Sequence, residues 1–176
     1  MKDIAKKDLY RYYGDGGEPL LHRLFRRPEL RFILAFRRAQ GSKNPFAHLR
    51  LRHLSQRTGI QIPARTSIGE GFYIGHFGRV IIHPDCIIGR NVNIATGVTL
   101  GQENRGARRG TPTLGDDVWI GTNAVVVGKI TVGSDVLIAP LAYVNFDVPD
   151  HSIVIGNPAR VIPRENATAS YIENRV

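Results

Sequence analysis

The sequence predicts a mainly β protein, a single-stranded parallel β-solenoid with an N-terminal α-helical segment and one projecting loop. Three observations predict it: aliphatic residues recur every six positions through most of the chain, glycine often follows them directly, and one polar stretch interrupts the period.

The phase begins at Ile62, Ile68 and Ile74, slips by two residues, and resumes at Ile82, Ile88, Ile94 and Leu100. After the interruption it continues through Leu114, Ile120, Val126, Val132, Ile138 and Val144. Four positions after most of these stands a small or β-branched residue, as at Thr66, Gly78, Cys86, Val92, Val98, Val118, Ala124, Val136 and Ala142, with Phe72 and Ile130 the bulky exceptions. Neither the 3.6-residue period of a helix nor the alternation of a hairpin gives this pattern. Gly69, Gly75, Gly89, Gly101, Gly115, Gly121 and Gly133 follow the aliphatic positions, where a chain must turn sharply without a Cβ in the way. Each hexad is therefore a short strand ending in a corner. Such strands satisfy their backbone groups only by pairing with the coil above and below, which stacks the aliphatic residues into one interior column. Three hexads make one triangular coil.

The interruption, QENRGARRGTPT at 102–113, is too polar and Gly-rich to continue the column and is expected to project as a loop. Residues 1–60 read as a separate basic helical segment, with helices expected over 4–13, 20–26 and 29–38, divided by GDGGEP and Pro28. The solenoid is expected over 61–163. From Arg164 to Val176 the period is gone, which predicts a polar C-terminal tail or a short helix.

The chain of 176 residues carries a net charge of +9, a value that suggests nucleic acid until it is divided. Residues 1–60 hold 14 Lys/Arg against 5 Asp/Glu, and the rest of the chain is neutral. The basicity belongs to the appended segment, with no recognised nucleic-acid module beside it, so no nucleic-acid partner is expected. No uncharged apolar run reaches the ~18 residues of a membrane span, and the N-terminus has no leader pattern, so a cytoplasmic location is expected. A single cysteine, Cys86, at an interior position of its hexad, argues for packing rather than for a disulfide or a nucleophile.

The repeat, the loop and GNPAR at 156–160 together resemble the hexapeptide-repeat acyltransferase family over roughly residues 60–163. IGHFGRVIIHP at 74–84, VTLGQENRGARRGTPTLGDDVWIG at 98–121 and DLYRYYG at 8–14 resemble the serine acetyltransferases and relatives that O-acetylate capsular or surface polysaccharides. The resemblance implies a left-handed β-helix, a homotrimer with sites between subunits, and acetyl-CoA as co-substrate, without a metal. It also implies that His76 is the catalytic base, a neutral imidazole taking the proton of an acceptor hydroxyl as that oxygen attacks the thioester.

Other positions follow by analogy. Backbone N–H groups at Gly101 and Gln102 are candidates for holding the developing oxyanion. Gly121, Thr122, Ala139 and Pro140 occupy corners expected to meet acetyl-CoA through the main chain, and Arg160 is placed to meet one of its phosphates. Capping of the last coil is the plainer reading of Arg160. Trp119 is expected to pack on cofactor or acceptor, or equally to be an aromatic at a trimer contact. His83 lines the acceptor groove or is a solvated turn histidine before Pro84.

The chain departs from the serine enzymes where their pattern holds the acceptor. Thr111 stands in place of a second functional histidine and Gly110 in place of an arginine. Gln61 matches the aspartate that orients the catalytic histidine, and Gly75 matches the acidic residue before that histidine. Asn104, Arg105, Arg108 and Arg109 take over the loop, and either bind a sugar or an anionic glycan or form a solvated charge cluster. These departures lead to the expectation of a sugar or surface-polysaccharide precursor as acceptor, with serine O-acetylation and amino-sugar N-acetylation as alternatives. A zinc hydratase on the same fold needs three histidine ligands, for which the spacing is absent. A scaffold without activity would have no use for His76, the loop and NPAR. For the basic segment, LLHRLFRRPELRFILAF reads as a helical cap on the trimer or as a peripheral membrane face.

Overall fold

The computed structural model describes residues 3–15 and 26–176. Among the described residues, three helices, α1 (Asp3–Tyr13), α2 (Pro28–Ala39) and α3 (Pro45–Thr58), precede fifteen short strands. The strands form three sheets: sheet A from β1 (Ile60–Gln61), β4 (Val80–Ile82), β7 (Thr99–Gly101), β10 (Val125–Val127) and β13 (Tyr143–Val144); sheet B from β2 (Ser67–Ile68), β5 (Ile87–Ile88), β8 (Thr113–Leu114) and β11 (Thr131–Val132); sheet C from β3 (Tyr73–Ile74), β6 (Asn93–Ile94), β9 (Val118–Ile120), β12 (Val136–Ile138), β14 (Ser152–Ile155) and β15 (Arg160–Pro163). The chain visits A, B and C in turn, and every pairing is parallel except β14 with β15, so this is a parallel β-helix of triangular section.

Register explains the sequence period. Ile74, Ile94, Ile120, Ile138 and Val154 stack on one side of the prism, and Ile68, Ile88, Leu114 and Val132 on another. All are buried, together with every aliphatic position of the hexad phase. At the corners from B to C the backbones come so close that a Cβ on Gly89 would lie 2.4 Å from the Gly115 carbonyl oxygen, and one on Gly115 2.8 Å from that of Gly133. Only glycine fits there.

The first coil has no coil above it, and the helices supply its missing partners. Arg37 and Asp8, 1% and 0% exposed, form a buried ion pair with Nε to Oδ2 at 2.7 Å. Arg37 also donates to the Ile68 and Gly69 carbonyls, while Asp8 accepts from the Phe72 amide at 2.9 Å. The Tyr12 hydroxyl donates to the Ile74 carbonyl at 2.7 Å and accepts from the Ile74 amide at 3.0 Å, replacing a strand for that residue. Leu30, Phe32, Ile33 and Phe36 of α2 are buried. The part of the expected membrane face that lies in α2 is thus turned inward, residues 20–25 of that face lying outside the described residues, and the peripheral membrane reading gains no support. No helix is long and apolar enough to cross a membrane among the described residues.

The helix expected over 20–26 falls almost wholly outside the described residues. Helix α3 was not anticipated, although it has its signals: Asn44 caps it by accepting from the Phe46 amide, Pro45 opens it, and Gly59 ends it at φ 76°. Segment 164–176 is neither a free polar tail nor a helix. It runs in turns back along sheet C, burying Ala167, Thr168 and Ile172.

That segment is anchored at Asp135, whose carboxylate accepts from the Ala167 and Thr168 amides, the Thr168 hydroxyl and His151 Nδ1. Burial alone would raise the Asp135 pKa, but these hydrogen bonds overcome it and hold the group at about 2; the bond to Asp135 in turn raises His151 above the usual histidine value. A raised histidine contributes stability that is complete below its unfolded pKa and is lost as pH rises through the folded one. In an NMR titration, the His151 midpoint is therefore expected above the ordinary value of about 6.5, falling back toward it in Asp135→Asn. Gly115→Ala is expected to cost about 2 kcal/mol through forced overlap, read as a melting temperature lower by about 4–8 °C.

Candidate active site

Each corner of the prism carries a different set of chemical groups, and the two outward excursions of the chain sit at two of them. Successive partners in the sheets are 18 residues apart where the repeat is regular, as for Ile81 with Thr99 and Val125 with Tyr143. Ile60 pairs with Val80, a step of 20, and Tyr73 with Asn93, again 20. Both steps contain the segment between β3 and β4, so the two extra residues of the slip lie at the corner from C to A, in GHFGR at 75–79. The stacked interior cannot take them, so His76 and Phe77 are pushed out, Phe77 to 59% exposure. The corner is tied at both ends, by Tyr12 on Ile74 and by the Gly78 amide donating to the Thr58 carbonyl at 2.8 Å.

His76 opens onto a pocket of about 500 Å³, lined by Tyr73, Asn93, Ala95, Trp119, Thr122 and Tyr171 among others. Its imidazole has no hydrogen-bond partner among the described residues. Below His76 the same corner repeats as Ala95, Gly121–Thr122 and Ala139–Pro140, linked by the Gly75 amide to Ile94, Ala95 to Ile120, Gly121 to Ile138 and Ala139 to Val154. Gly121 lies so near Pro140 that a Cβ would come 2.6 Å from the proline nitrogen. The result is a smooth track of small residues. Arg160 pairs with Ile155 at the foot of sheet C and is exposed, about 24 Å from His76 if the five strand spacings of about 4.8 Å from β3 to β15 are counted. Such a track suits a linear arm carrying amides, with an anionic group at its far end.

The corner from A to B holds the other expected site residues. Thr99 pairs with Val125, a step of 26 that places the eight-residue excess in the loop. The loop is a small hairpin, with Glu103 and Gly110 exchanging backbone hydrogen bonds of 2.9 and 3.0 Å. Asn104, Arg105, Arg108 and Arg109 are exposed on it. Arg108 is spent on the Asn145 carbonyl and Thr111 on that of Asp85, so both fix the hairpin to the solenoid. His83, Gln61 and Gly101 line a second groove, about 740 Å³, beneath α3, and Gln102 lies exposed at the loop root. His83 Nδ1 accepts from the Asp85 amide at 3.3 Å, a turn contact. Within one chain, His76, Trp119 and Thr122 therefore come together, while His83, Gln61, Gly101 and the loop gather elsewhere. Cys86 is buried, and burial pushes its thiol up to about 12, as suits a packing residue.

Tyr12, Asn93 and Tyr171 were missed as pocket residues. The signal for the segment that carries Tyr171 lay in a second repeat, the triplets GEG, GRN, GDD and GSD at 69–71, 89–91, 115–117 and 133–135, whose third residue has positive φ each time.

The family model for bacterial transferase hexapeptide repeats matches residues 65–102 and 111–145, leaving out the hairpin. The chain is 36% identical over 142 residues to a serine acetyltransferase of Helicobacter pylori, covering 78% of this chain and 83% of that protein. The chain belongs to the hexapeptide-repeat acyltransferase family. Within that family it is serine acetyltransferase-like: it is 44% identical over 105 residues to the Bacillus subtilis serine acetyltransferase, 60% of this chain and 48% of that one. It spans about half the length of the Bacillus relatives it matches. Among solved structures it resembles the Neisseria gonorrhoeae serine acetyltransferase in complex with serine, with TM-score 0.73 and 27% identity over 90% of this chain and 67% of that one. The soybean serine acetyltransferase complexed with serine gives TM-score 0.77 and 28% identity over 90% and 68%.

These likenesses overturn the expectation of a sugar or polysaccharide acceptor, and with it the closeness to the polysaccharide enzymes. That expectation rested on loop residues alone, whereas the similarity to serine acetyltransferases extends over 142 residues. The hairpin adds no support of its own, because Arg108 is used to pin the loop to the Asn145 carbonyl.

Proposed function

We propose that this protein is an acetyl-CoA-dependent serine O-acetyltransferase acting as a homotrimer in the cytoplasm, with His76 as its base. The observation that carries the reading is the likeness to the Helicobacter pylori serine acetyltransferase over 83% of that protein, with His76 extruded at the one corner that has a two-residue excess. Acetyl-CoA lies along the track, its thioester at His76, its amides beside Gly121, Thr122, Ala139 and Pro140, and a phosphate toward Arg160.

The neutral imidazole of His76 takes the serine hydroxyl proton as that oxygen attacks the acetyl carbonyl. The tetrahedral oxyanion is held by backbone donors at Gly101 and Gln102, then collapses with release of the CoA thiolate. The imidazolium returns its proton to that sulfur, leaving O-acetylserine and CoA. Because Gly101, Gln102, His83 and the hairpin sit at a different corner from His76, the complete site requires the A-to-B corner of a neighbouring subunit against the C-to-A corner of this one. A cyclic assembly brings two unlike corners together at each interface.

Thiol release from acetyl-CoA with L-serine tests this reading. His76→Ala is expected to lose about 10²–10⁴ in kcat with its melting temperature unchanged. With Gly110 and Thr111 where a cation and a second histidine are implied, the KM for serine is expected to fall in the millimolar range, and Thr111→His to lower it. Absence of serine-dependent release from the wild type, with release on a glucosamine or glycan acceptor, contradicts the acceptor assignment. Full activity in His76→Ala contradicts the mechanism.

A further inference from the structure

Segment 164–176 is held by a column of residues that the reaction does not use. At the corners from B to C the third residue of every triplet is left-handed, and in three of the four, Asn91 at φ 53°, Asp117 at 54° and Asp135 at 53°, it turns a side chain onto the segment. Asp135 holds Ala167 and Thr168, Asp117 pairs with Arg175 at 3.1 Å, and Asn91 exchanges bonds of 3.0 Å with the backbone of Val176. Asn93 donates to the Tyr171 carbonyl at 3.0 Å, and Arg11 of α1 donates to that of Glu173. The solenoid thus reads this segment at three successive coils and at the helical cap. An accidental surface contact of a polar tail would not meet the same corner position in coil after coil.

The segment reaches the site. Tyr171 packs on Trp119 with ring centroids 4.9 Å apart, and both rings line the pocket that contains His76 and Thr122. Tyr171 is half exposed, so its outer face is open to whatever lies on the track.

We propose that the strap formed by 164–176 is a built wall of the acyl-donor site, and that Tyr171, stacked on Trp119, is a positioning residue for the acyl-CoA arm as it approaches His76. The inference rests on the acetyl-CoA reading above but not on serine as acceptor. An aromatic pair at that point confines a flexible linear arm between its own face and the small-residue track, which lowers the cost of ordering it. Its effect falls on donor affinity, not on the chemical step.

The test reads the strap and the site separately. Trp119 is the only tryptophan, so its emission reports docking of the strap directly. Coenzyme A affinity is measured by calorimetry, and acetyl-CoA and serine kinetics by thiol release, for wild type, Tyr171→Ala and Tyr171→Phe. Tyr171→Ala is expected to shift Trp119 emission to the red, weaken coenzyme A about tenfold and raise the acetyl-CoA KM alike, with kcat and the serine KM within about threefold of wild type. Tyr171→Phe, which keeps a ring on Trp119, is expected to recover most of the lost affinity. An unchanged Trp119 emission in Tyr171→Ala overturns the docking, and a shifted emission with unchanged coenzyme A affinity overturns the role in the site. Coenzyme A binding by the wild type without serine-dependent turnover sinks the serine assignment alone, whereas no coenzyme A binding at all sinks both.

Discussion

Each strand of this molecule is two to four residues long and is stable only because the coils above and below it complete its hydrogen bonds and its apolar contacts in register. This stacking requires every coil to repeat at the same step. Any residues beyond the step cannot be absorbed inside, where Ile74, Ile94, Ile120 and Ile138 lie one upon another, and must leave at a corner. The two-residue excess at 75–79 carries His76 outward, and the eight-residue excess becomes the hairpin after β7. The proposed functional groups sit where the repeat is broken because those are the places at which side chains escape the column.

The same constraint governs the ends. A solenoid ends in open strand edges, which invite association with other chains. Here the upper edge is closed by α1 and α2 through Arg37, Asp8 and Tyr12, and the lower edge of sheet C by the antiparallel β15. The motif DLYRYYG supplies much of this closure. Its aspartate enters the buried ion pair, its last tyrosine but one, Tyr12, satisfies the backbone of Ile74 two residues before His76, and Arg11 holds Gly71, Asn93 and the strap. The upper cap and the placement of His76 are one structure.

Much of this was legible in the sequence because a solenoid writes its geometry into a one-dimensional period. The aliphatic phase named the buried residues individually, the slip marked the corner of His76, and the polar interruption marked the hairpin. The acceptor was not legible. Gly110, Thr111, Gln61 and Gly75 gave only absent groups, and absence at four positions outweighed a similarity that runs far beyond them. Helix α3 was overlooked because its basic, weakly patterned sequence hides good caps at Asn44 and Gly59. The strap escaped because segment 164–176 has no periodicity of its own. Its partners do, in the third residue of the triplets at each corner from B to C, but that repeat is polar and is masked by the aliphatic one.

The division of the proposed site between two chains, the base on one and the acceptor-side groups on the other, is the feature on which the mechanism depends. It is tested most directly by mixing two inactive proteins, His76→Ala and a variant with the hairpin 103–110 replaced by a two-glycine turn, under conditions that exchange subunits. Sites shared between neighbours predict that activity returns to about a quarter of the wild-type value in an equal mixture, since each site then needs one intact corner from each variant. A mixture as inactive as its two components would place the whole site within a single chain and contradict the account.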